Sequence, residues 1–176
     1  TIPNVEYPAS TAPPGGRRPD IFLFVIDSLR RDYVSVFNPA ATFTPNIERF
    51  AADGFAFRNA FTRHGGTELA MPSIWAGAAV VRRIAAPAFT RINAIEKLVH
   101  ADGYRMAINE HTIADYLSAA TPVTSIDPDV PNVDTDFCAN LTGVEKYLDA
   151  SASDARPVFG MFRPMNIHIL NTMRGG

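Results

Sequence analysis

The amino-acid sequence predicts an α/β fold in three layers, with a mainly parallel sheet between helices. The run Ile21–Ile26 is continuously apolar and rich in β-branched and aromatic residues, which is typical of a strand buried on both faces. Along the rest of the chain, short strand-like runs alternate with segments of helical spacing. This alternation is the pattern of βαβ units, whose strands are parallel.

The composition is that of an ordinary globular domain. The chain has 176 residues, of which 47% are hydrophobic and 19% charged, and this length can bury a sizeable core. Its formal net charge of −2 provides no basic surface, so we do not expect a nucleic acid as partner. Cys138 is the only cysteine, which excludes an intrachain disulfide, and we expect a buried, inert thiol.

The first 19 residues differ in composition from the rest. Residues 1–19 contain five prolines and two glycines, which indicates a linker or arm ahead of a domain at residues 20–176. No run approaches the roughly 20 apolar residues that a membrane-spanning helix needs. The N-terminus also lacks a signal-peptide pattern, so we expect this chain to be soluble as given.

The remaining elements follow from local signals. Thr44-Pro45 opens a helix that Gly54 ends, and residues 55–61 alternate aromatic with small or polar residues as a short strand does. A later helix is predicted from the helical spacing of Ile92, Ile95, Leu98 and Val99, with Gly103 as its stop. The elements after it are predicted as a strand at 104–108, a helix at 111–119, a strand at 123–126, a helix at 137–148 and a strand at 157–162. The loop at 127–136 has four aspartates but lacks the glycine and glutamate of a calcium loop, so solvated turns are favoured.

Thr67 is the strongest candidate for chemistry. It follows Gly65-Gly66 and precedes a helix-like run. A threonine hydroxyl is a weak nucleophile at neutral pH, so it needs an adjacent base or a metal ion. The alternative is that these residues form only a loop and a helix cap. Pro72 favours a helix that begins at Pro72 and leaves Thr67 in the preceding loop, although either geometry exposes the hydroxyl.

Asp27 is the carboxylate best placed to act with Thr67. It ends the apolar run and would therefore lie at the C-terminal edge of a strand, where open α/β sheets build their sites. A carboxylate there suits a metal ion. The alternative is a structural one, in which Asp27 caps the turn that follows through Ser28 and Asp32.

Four segments together carry a family resemblance. Residues 18–30, 44–47 and 54–60 and the Thr67 segment resemble the N-terminal half of the sulfatase branch of the alkaline phosphatase superfamily. The Thr67 segment resembles the phosphoethanolamine and phosphoglycerol transferases, in which a threonine replaces formylglycine. The sulfatase signature Cys-x-Pro-Ser-Arg is absent, since Ala70 and Ile74 stand at the cysteine and arginine positions. A formylglycine mechanism is therefore not expected.

The resemblance implies metal-dependent transfer or hydrolysis of a phospho or sulfo ester through a covalent threonine intermediate. Thr67 would be the nucleophile, and Asp27 and Thr67 would bind a divalent metal, zinc first, with manganese, magnesium or calcium as alternatives. His168 would contact the phospho or sulfo group, against the alternative of a neutral structural histidine. His64 is a further candidate, either as a general base or as an ordinary loop histidine. A hydrolase without transferase activity and a non-catalytic domain of the same fold stay open.

The resemblance also implies a setting. The transferases are membrane-anchored, so the parent protein would act at the periplasmic or extracellular face of the inner membrane on a small-molecule or lipid-linked ester. The similarity covers about residues 18–171 and corresponds to the first half of the family's catalytic domain. We therefore expect a fold that is incomplete at its C-terminus, without the remaining metal ligands, and inactive by itself.

Overall fold

The computed structural model describes residues 4–11, 16–109, 111–126, 136–165 and 167. It confirms the α/β fold, because all the described strands belong to one parallel sheet with the order β1-β4-β2-β3. The strands are β1 (Ile21–Phe24), β2 (Arg105–Ile108), β3 (Val123–Ser125) and β4 (Val158–Phe162). Parallel pairing brings the carboxyl ends of these strands to one edge of the sheet.

Helices fill the connections between the strands. They are α1 (Pro45–Ala52), α2 (Thr67–Ala76), α3 (Ala86–Phe89), α4 (Ala94–Ala101), α5 (His111–Ala114) and α6 (Phe137–Ala150), with a short 3-10 helix at Arg31–Tyr33. Side chains cap two of them: Asn93 accepts the N–H of Glu96 at the start of α4, and Asp136 accepts the N–H of Ala139 at the start of α6. Among the described helices, none combines the length and apolar character required to span a membrane.

The core lies on both faces of the sheet. Successive side chains of a strand point to opposite faces, and β4 is buried along its whole length. Phe159 packs with Trp75 of α2, their ring centroids 6.1 Å apart, whereas Val158 and Phe162 pack with Val144 of α6. The sheet is therefore the middle of three layers, as predicted.

Gly160 of β4 is required by close packing across the sheet. A Cβ atom there would lie 2.6 Å from the ring of Phe162 and 2.8 Å from that of Phe22. Since Phe162 is fully buried, we predict that Gly160→Ala lowers the free energy of unfolding by about 1–3 kcal/mol, the usual cost of overpacking. Urea denaturation measures it. The control is Gly54→Ala, where the nearest atom is 3.8 Å away, and equal losses in the two variants would contradict the packing argument.

The prediction that the strand at Ile21–Ile26 is buried on both faces is wrong for the part of the chain described. β1 lies at the edge of the described sheet and pairs only with β4. Ile21 is 44% exposed and Phe22 36% exposed. A continuous apolar run indicates that a strand is hydrophobic. The burial of that strand also depends on which strands lie beside it, and this is set by the topology of the whole sheet.

Two other local predictions are corrected. Residues 55–61 form no strand, and the side chains of Phe55, Phe57 and Phe61 are 95%, 77% and 89% exposed. An alternating pattern makes a strand only when a neighbour pairs with its backbone, and no described strand does so here. Cys138 is exposed on α6 rather than buried.

The described part of the N-terminal arm lies against α4. The Val5 N–H donates to the Arg91 carbonyl at 3.1 Å, and the Ser10 hydroxyl donates to Asp102 at 2.7 Å. Arg18 also contacts Asp102, at 3.1 Å. The hydrogen bonds from Ser10, followed by the charge of Arg18, hold the pKa of Asp102 below its usual value. These contacts attach the arm to the end of α4.

Candidate functional site

Four polar residues gather at the edge where the parallel strands end. Asp27 follows β1, Asn109 follows β2 and Arg163 follows β4. Thr67 joins them from the N-terminus of α2. In open α/β sheets, ligands bind outside the carboxyl ends of the strands, so this edge is the candidate site.

The structure brings together Asp27 and Thr67, which are 40 positions apart in the sequence. The Thr67 hydroxyl donates to Asp27 Oδ2 at 3.4 Å. This separation is longer than an ordinary O–H···O hydrogen bond of about 2.5–3.0 Å, so the contact orients the hydroxyl without binding it tightly. The pair is the one that the sequence analysis combined.

Thr67 is the first residue of α2, and the predicted helix start at Pro72 is wrong. Gly66 is the N-cap, and it makes no side-chain capping bond. Pro72 lies inside the helix, where its missing N–H cannot serve the carbonyl of Glu68. The helix continues through Pro72, which is itself buried, because Met71 and Trp75 on either side of it pack in the core against the sheet. Thr67 is therefore neither a cap nor a loop residue.

Ser73, the other hydroxyl of this segment, has structural partners. Its hydroxyl donates to the Leu69 carbonyl at 2.7 Å and accepts the N–H of Val80 at 3.0 Å. These bonds fasten the end of α2 to the turn that follows. The Ser73 hydroxyl thus lies within the helix and its turn, whereas that of Thr67 faces a carboxylate.

The backbone turns sharply directly after Asp27. Ser28 has φ 63°, in the left-handed region that residues other than glycine seldom adopt, and its hydroxyl donates to Asp27 Oδ1 at 3.4 Å. Such strain is frequent at functional sites. Asp32 pairs with Arg30 at 2.6 Å, and no side chain caps the 3-10 helix at Arg31–Tyr33. The alternative role of Asp27 as a cap for that turn is therefore not supported.

Arg163 is a site residue that the sequence analysis missed. Its Nη1 lies 3.6 Å from Asp27 Oδ2, and the Arg163 and Asp27 side chains are only 12% and 18% exposed. A largely buried charge is normally paired, and the pair places a positive group on the carboxylate that the Thr67 hydroxyl faces. Its position in the sequence could have indicated it, because Arg163 directly follows a predicted strand, as Asp27 does.

Two buried asparagines position the backbone of Arg163. Asn109 Oδ1 accepts the Arg163 N–H at 2.9 Å, and Asn109 Nδ2 donates to Asn140 Oδ1 at 2.9 Å. Asn109 is 2% exposed and Asn140 is fully buried. Buried amides are retained where their hydrogen bonds are satisfied, and this network connects β2, β4 and α6 beneath the site.

The described residues do not by themselves form a metal site. They contain no group of three or more histidine, cysteine, aspartate or glutamate side chains that could bind a metal ion. At the edge of the sheet, Asp27 and Thr67 provide oxygen atoms, while Arg163 adds a positive charge to the same carboxylate. Catalytic zinc usually takes about three protein ligands, so a metal here requires ligands from outside the described residues.

The two candidate histidines have different outcomes. His168 lies outside the described residues. His64 is described, and within that part of the chain its buried Nε2 has no hydrogen-bond partner. The backbone N–H and carbonyl of His64 bond to the side chain of Thr62. No described hydrogen bond joins His64 to Thr67, so its role as a general base stays a hypothesis.

Comparison with known proteins identifies the family. The family model for Sulfatase matches residues 19–161, a range that includes Asp27 and Thr67. No curated protein and no solved structure gives a significant match. The match covers most of the chain, and hydrolase-type activity on sulfo or phospho esters is what membership of this family indicates. This chain belongs to the sulfatase family.

Proposed function

We propose that the chain carries the nucleophile of an enzyme that transfers or hydrolyses a phospho or sulfo ester group through a covalent intermediate on Thr67. The observation that carries the proposal is the position of the Thr67 hydroxyl, 3.4 Å from Asp27 Oδ2 at the N-terminus of a helix. The closest resemblance of this segment, to the threonine-dependent transferases, supports transfer over simple hydrolysis.

The reaction divides into two displacements. In the first, the Thr67 oxygen bonds to phosphorus or sulfur, the bond to the ester oxygen breaks, and the departing alcohol takes up the proton that the threonine hydroxyl releases. In the second, the oxygen of an acceptor hydroxyl or of water bonds to that phosphorus or sulfur, the bond to the Thr67 oxygen breaks, and the proton of the attacking group returns to the threonine oxygen. A helix N-terminus favours negative charge, so the start of α2 at Thr67 would stabilise the charge that develops there.

We propose a divalent metal as cofactor, zinc first, with manganese, magnesium or calcium as alternatives. Asp27 and Thr67 would contribute two ligands, and the others would come from outside the described residues. A bound metal would supply Lewis acidity that lowers the pKa of the Thr67 hydroxyl. His168 would contact the non-bridging oxygens of the substrate.

The proposed substrate is a small-molecule or lipid-linked phospho or sulfo ester. The resemblance to membrane-anchored transferases supports a parent protein that acts at the periplasmic or extracellular face of the inner membrane. Both proposals rest on that resemblance.

The test combines covalent trapping with product analysis. The full polypeptide that contains this chain is exposed to an aryl phosphate or an aryl sulfate with an alcohol acceptor present, and intact mass and peptide mapping follow. We expect one phospho or sulfo group on the Thr67 peptide and its transfer to the alcohol. Release of inorganic anion alone would indicate a hydrolase, and no adduct with no turnover would contradict the proposal.

Comparing the two aspartates that follow β1 tests whether Asp27 is a metal ligand. Asp27 is 18% exposed and contacts Thr67, whereas Asp32 is 55% exposed and pairs with Arg30. We predict that Asp27→Asn weakens metal binding by at least about tenfold, since loss of even an outer partner costs that much, and that Asp32→Asn has little effect. Calorimetric metal titration of the full polypeptide measures both. Equal losses would mean that Asp27 is not a ligand.

A further inference from the structure

Two groups approach the same carboxylate oxygen. The Thr67 hydroxyl lies 3.4 Å from Asp27 Oδ2, and Arg163 Nη1 lies 3.6 Å from that atom. The hydroxyl and the guanidinium are therefore no further apart than the sum of these distances. A phospho or sulfo group that Thr67 attacks would lie within reach of the guanidinium.

The Arg163 side chain is held in place but is not tightly bound to Asp27. Its backbone is fastened through Asn109, and 12% of its side chain is exposed. A charge-assisted N–H···O bond is usually about 2.7–2.9 Å long, so the contact with Asp27 is a loose ion pair. A planar guanidinium binds phosphate or sulfate through two parallel hydrogen bonds, which compete well with a loose carboxylate contact.

We propose that Arg163 binds the anionic oxygens of the substrate, and that Asp27 competes with the substrate for the guanidinium. In the unliganded protein the carboxylate neutralises Arg163. When the anionic group binds, Arg163 shifts to it, and Asp27 keeps its contact with the Thr67 hydroxyl. This assignment rests on the proposed function, which identifies the group that Thr67 attacks as a phospho or sulfo group.

The other largely buried arginine pairs among the described residues lie away from the candidate site, since Arg18 contacts Asp102 and Arg105 contacts Asp154. The side chains of Arg30 and Arg83 are 70% and 83% exposed in their ion pairs. The sulfatase signature carries an arginine at the position of Ile74 on α2, and this chain has none there. Arg163 thus provides, from the end of β4, a cation beside the nucleophile that α2 does not provide.

Arg105 is a matched control for Arg163. Its side chain is 11% exposed and lies 3.5 Å from Asp154. It begins β2 and is therefore at the opposite edge of the parallel sheet from the candidate site. Replacing either arginine with glutamine removes a largely buried guanidinium and its contact with an aspartate, although Asp154 keeps Arg156 as a partner at 2.7 Å. The two variants therefore differ above all in where they stand relative to the candidate site.

The experiment measures binding of inorganic phosphate and sulfate to the full polypeptide by calorimetry, with a chelator present. We expect Arg163→Gln to weaken binding roughly 10- to 100-fold, the effect of losing a charged hydrogen-bond partner, and Arg163→Lys to restore part of it. Arg105→Gln should bind as the unsubstituted protein does. Absence of anion binding by the unsubstituted protein, or equal effects of the two glutamine variants, would overturn the proposal.

A double substitution tests the competition. Asp27→Asn removes the carboxylate charge, so it should tighten anion binding when Arg163 is present and leave it unchanged in the Arg163→Gln background. Weaker binding in Asp27→Asn alone would overturn the competition. Adduct formation on Thr67 is scored separately: an adduct with unaltered anion binding in Arg163→Gln refutes only this inference. The expected binding pattern without any adduct refutes only the proposed function.

Discussion

Thr67→Ala is expected to abolish the covalent adduct and to lower kcat on the order of a millionfold, as deletion of other enzymatic nucleophiles does. The Thr67 hydroxyl faces Asp27 and accounts for the whole of the proposed first displacement. Alanine favours helix formation more than threonine does, so α2 should keep its start and its packing. Intact-mass analysis after exposure to an aryl phosphate or aryl sulfate measures the adduct.

Two further variants test whether Thr67, rather than Ser73, is the nucleophile. Thr67→Ser keeps a hydroxyl on the same Cβ and should retain adduct formation at a reduced rate. Ser73→Ala should retain it as well, because the Ser73 hydroxyl bonds to Leu69 and Val80 rather than facing Asp27. An adduct that persists in Thr67→Ala and disappears in Ser73→Ala would reverse the assignment of the nucleophile.

Local patterns in the sequence were sufficient to predict the fold class and to single out Asp27 and Thr67 as candidates. The apolar run before Asp27 and the glycines before Thr67 both mark places where a strand ends or a helix begins, and these are short-range properties. Once the strands are parallel, their ends must meet at one edge. This places Asp27 at the candidate edge, whereas Thr67 begins a helix that no described strand directly precedes, so its approach to Asp27 at 3.4 Å depends on how α2 packs.

The residues that the sequence analysis missed depend on long-range packing. Arg163 reaches Asp27 only because β4 lies beside β1, although the two strands are far apart in the sequence. The edge position of β1 and the absence of a described partner for residues 55–61 have the same origin. Strand order and strand partners are properties of the whole sheet, which a window of local sequence does not contain.

Asn109 is the residue whose replacement should have the largest effect on stability near the site. It is 2% exposed, accepts the N–H of Arg163 and donates to Asn140. We predict that Asn109→Leu lowers the free energy of unfolding by about 2–5 kcal/mol, since each buried polar group that loses a partner costs about 1–3 kcal/mol. Typical domains are stable by only about 5–15 kcal/mol, so the loss is readily measured by urea denaturation.

Replacing a second buried asparagine, Asn93, is a control that distinguishes a loss of stability from a loss of phosphate binding at the site. Asn93 is fully buried, donates to the Tyr116 carbonyl at 2.6 Å and accepts the N–H of Glu96 at 3.0 Å, as part of the α4 cap rather than of the site. Asn93→Leu should therefore cost similar stability and leave phosphate binding by the folded molecules unchanged. Asn109→Leu should lose stability and also bind phosphate more weakly, because Arg163 is no longer positioned. If both variants bind phosphate equally well when folded, Asn109 supports the sheet but does not position Arg163.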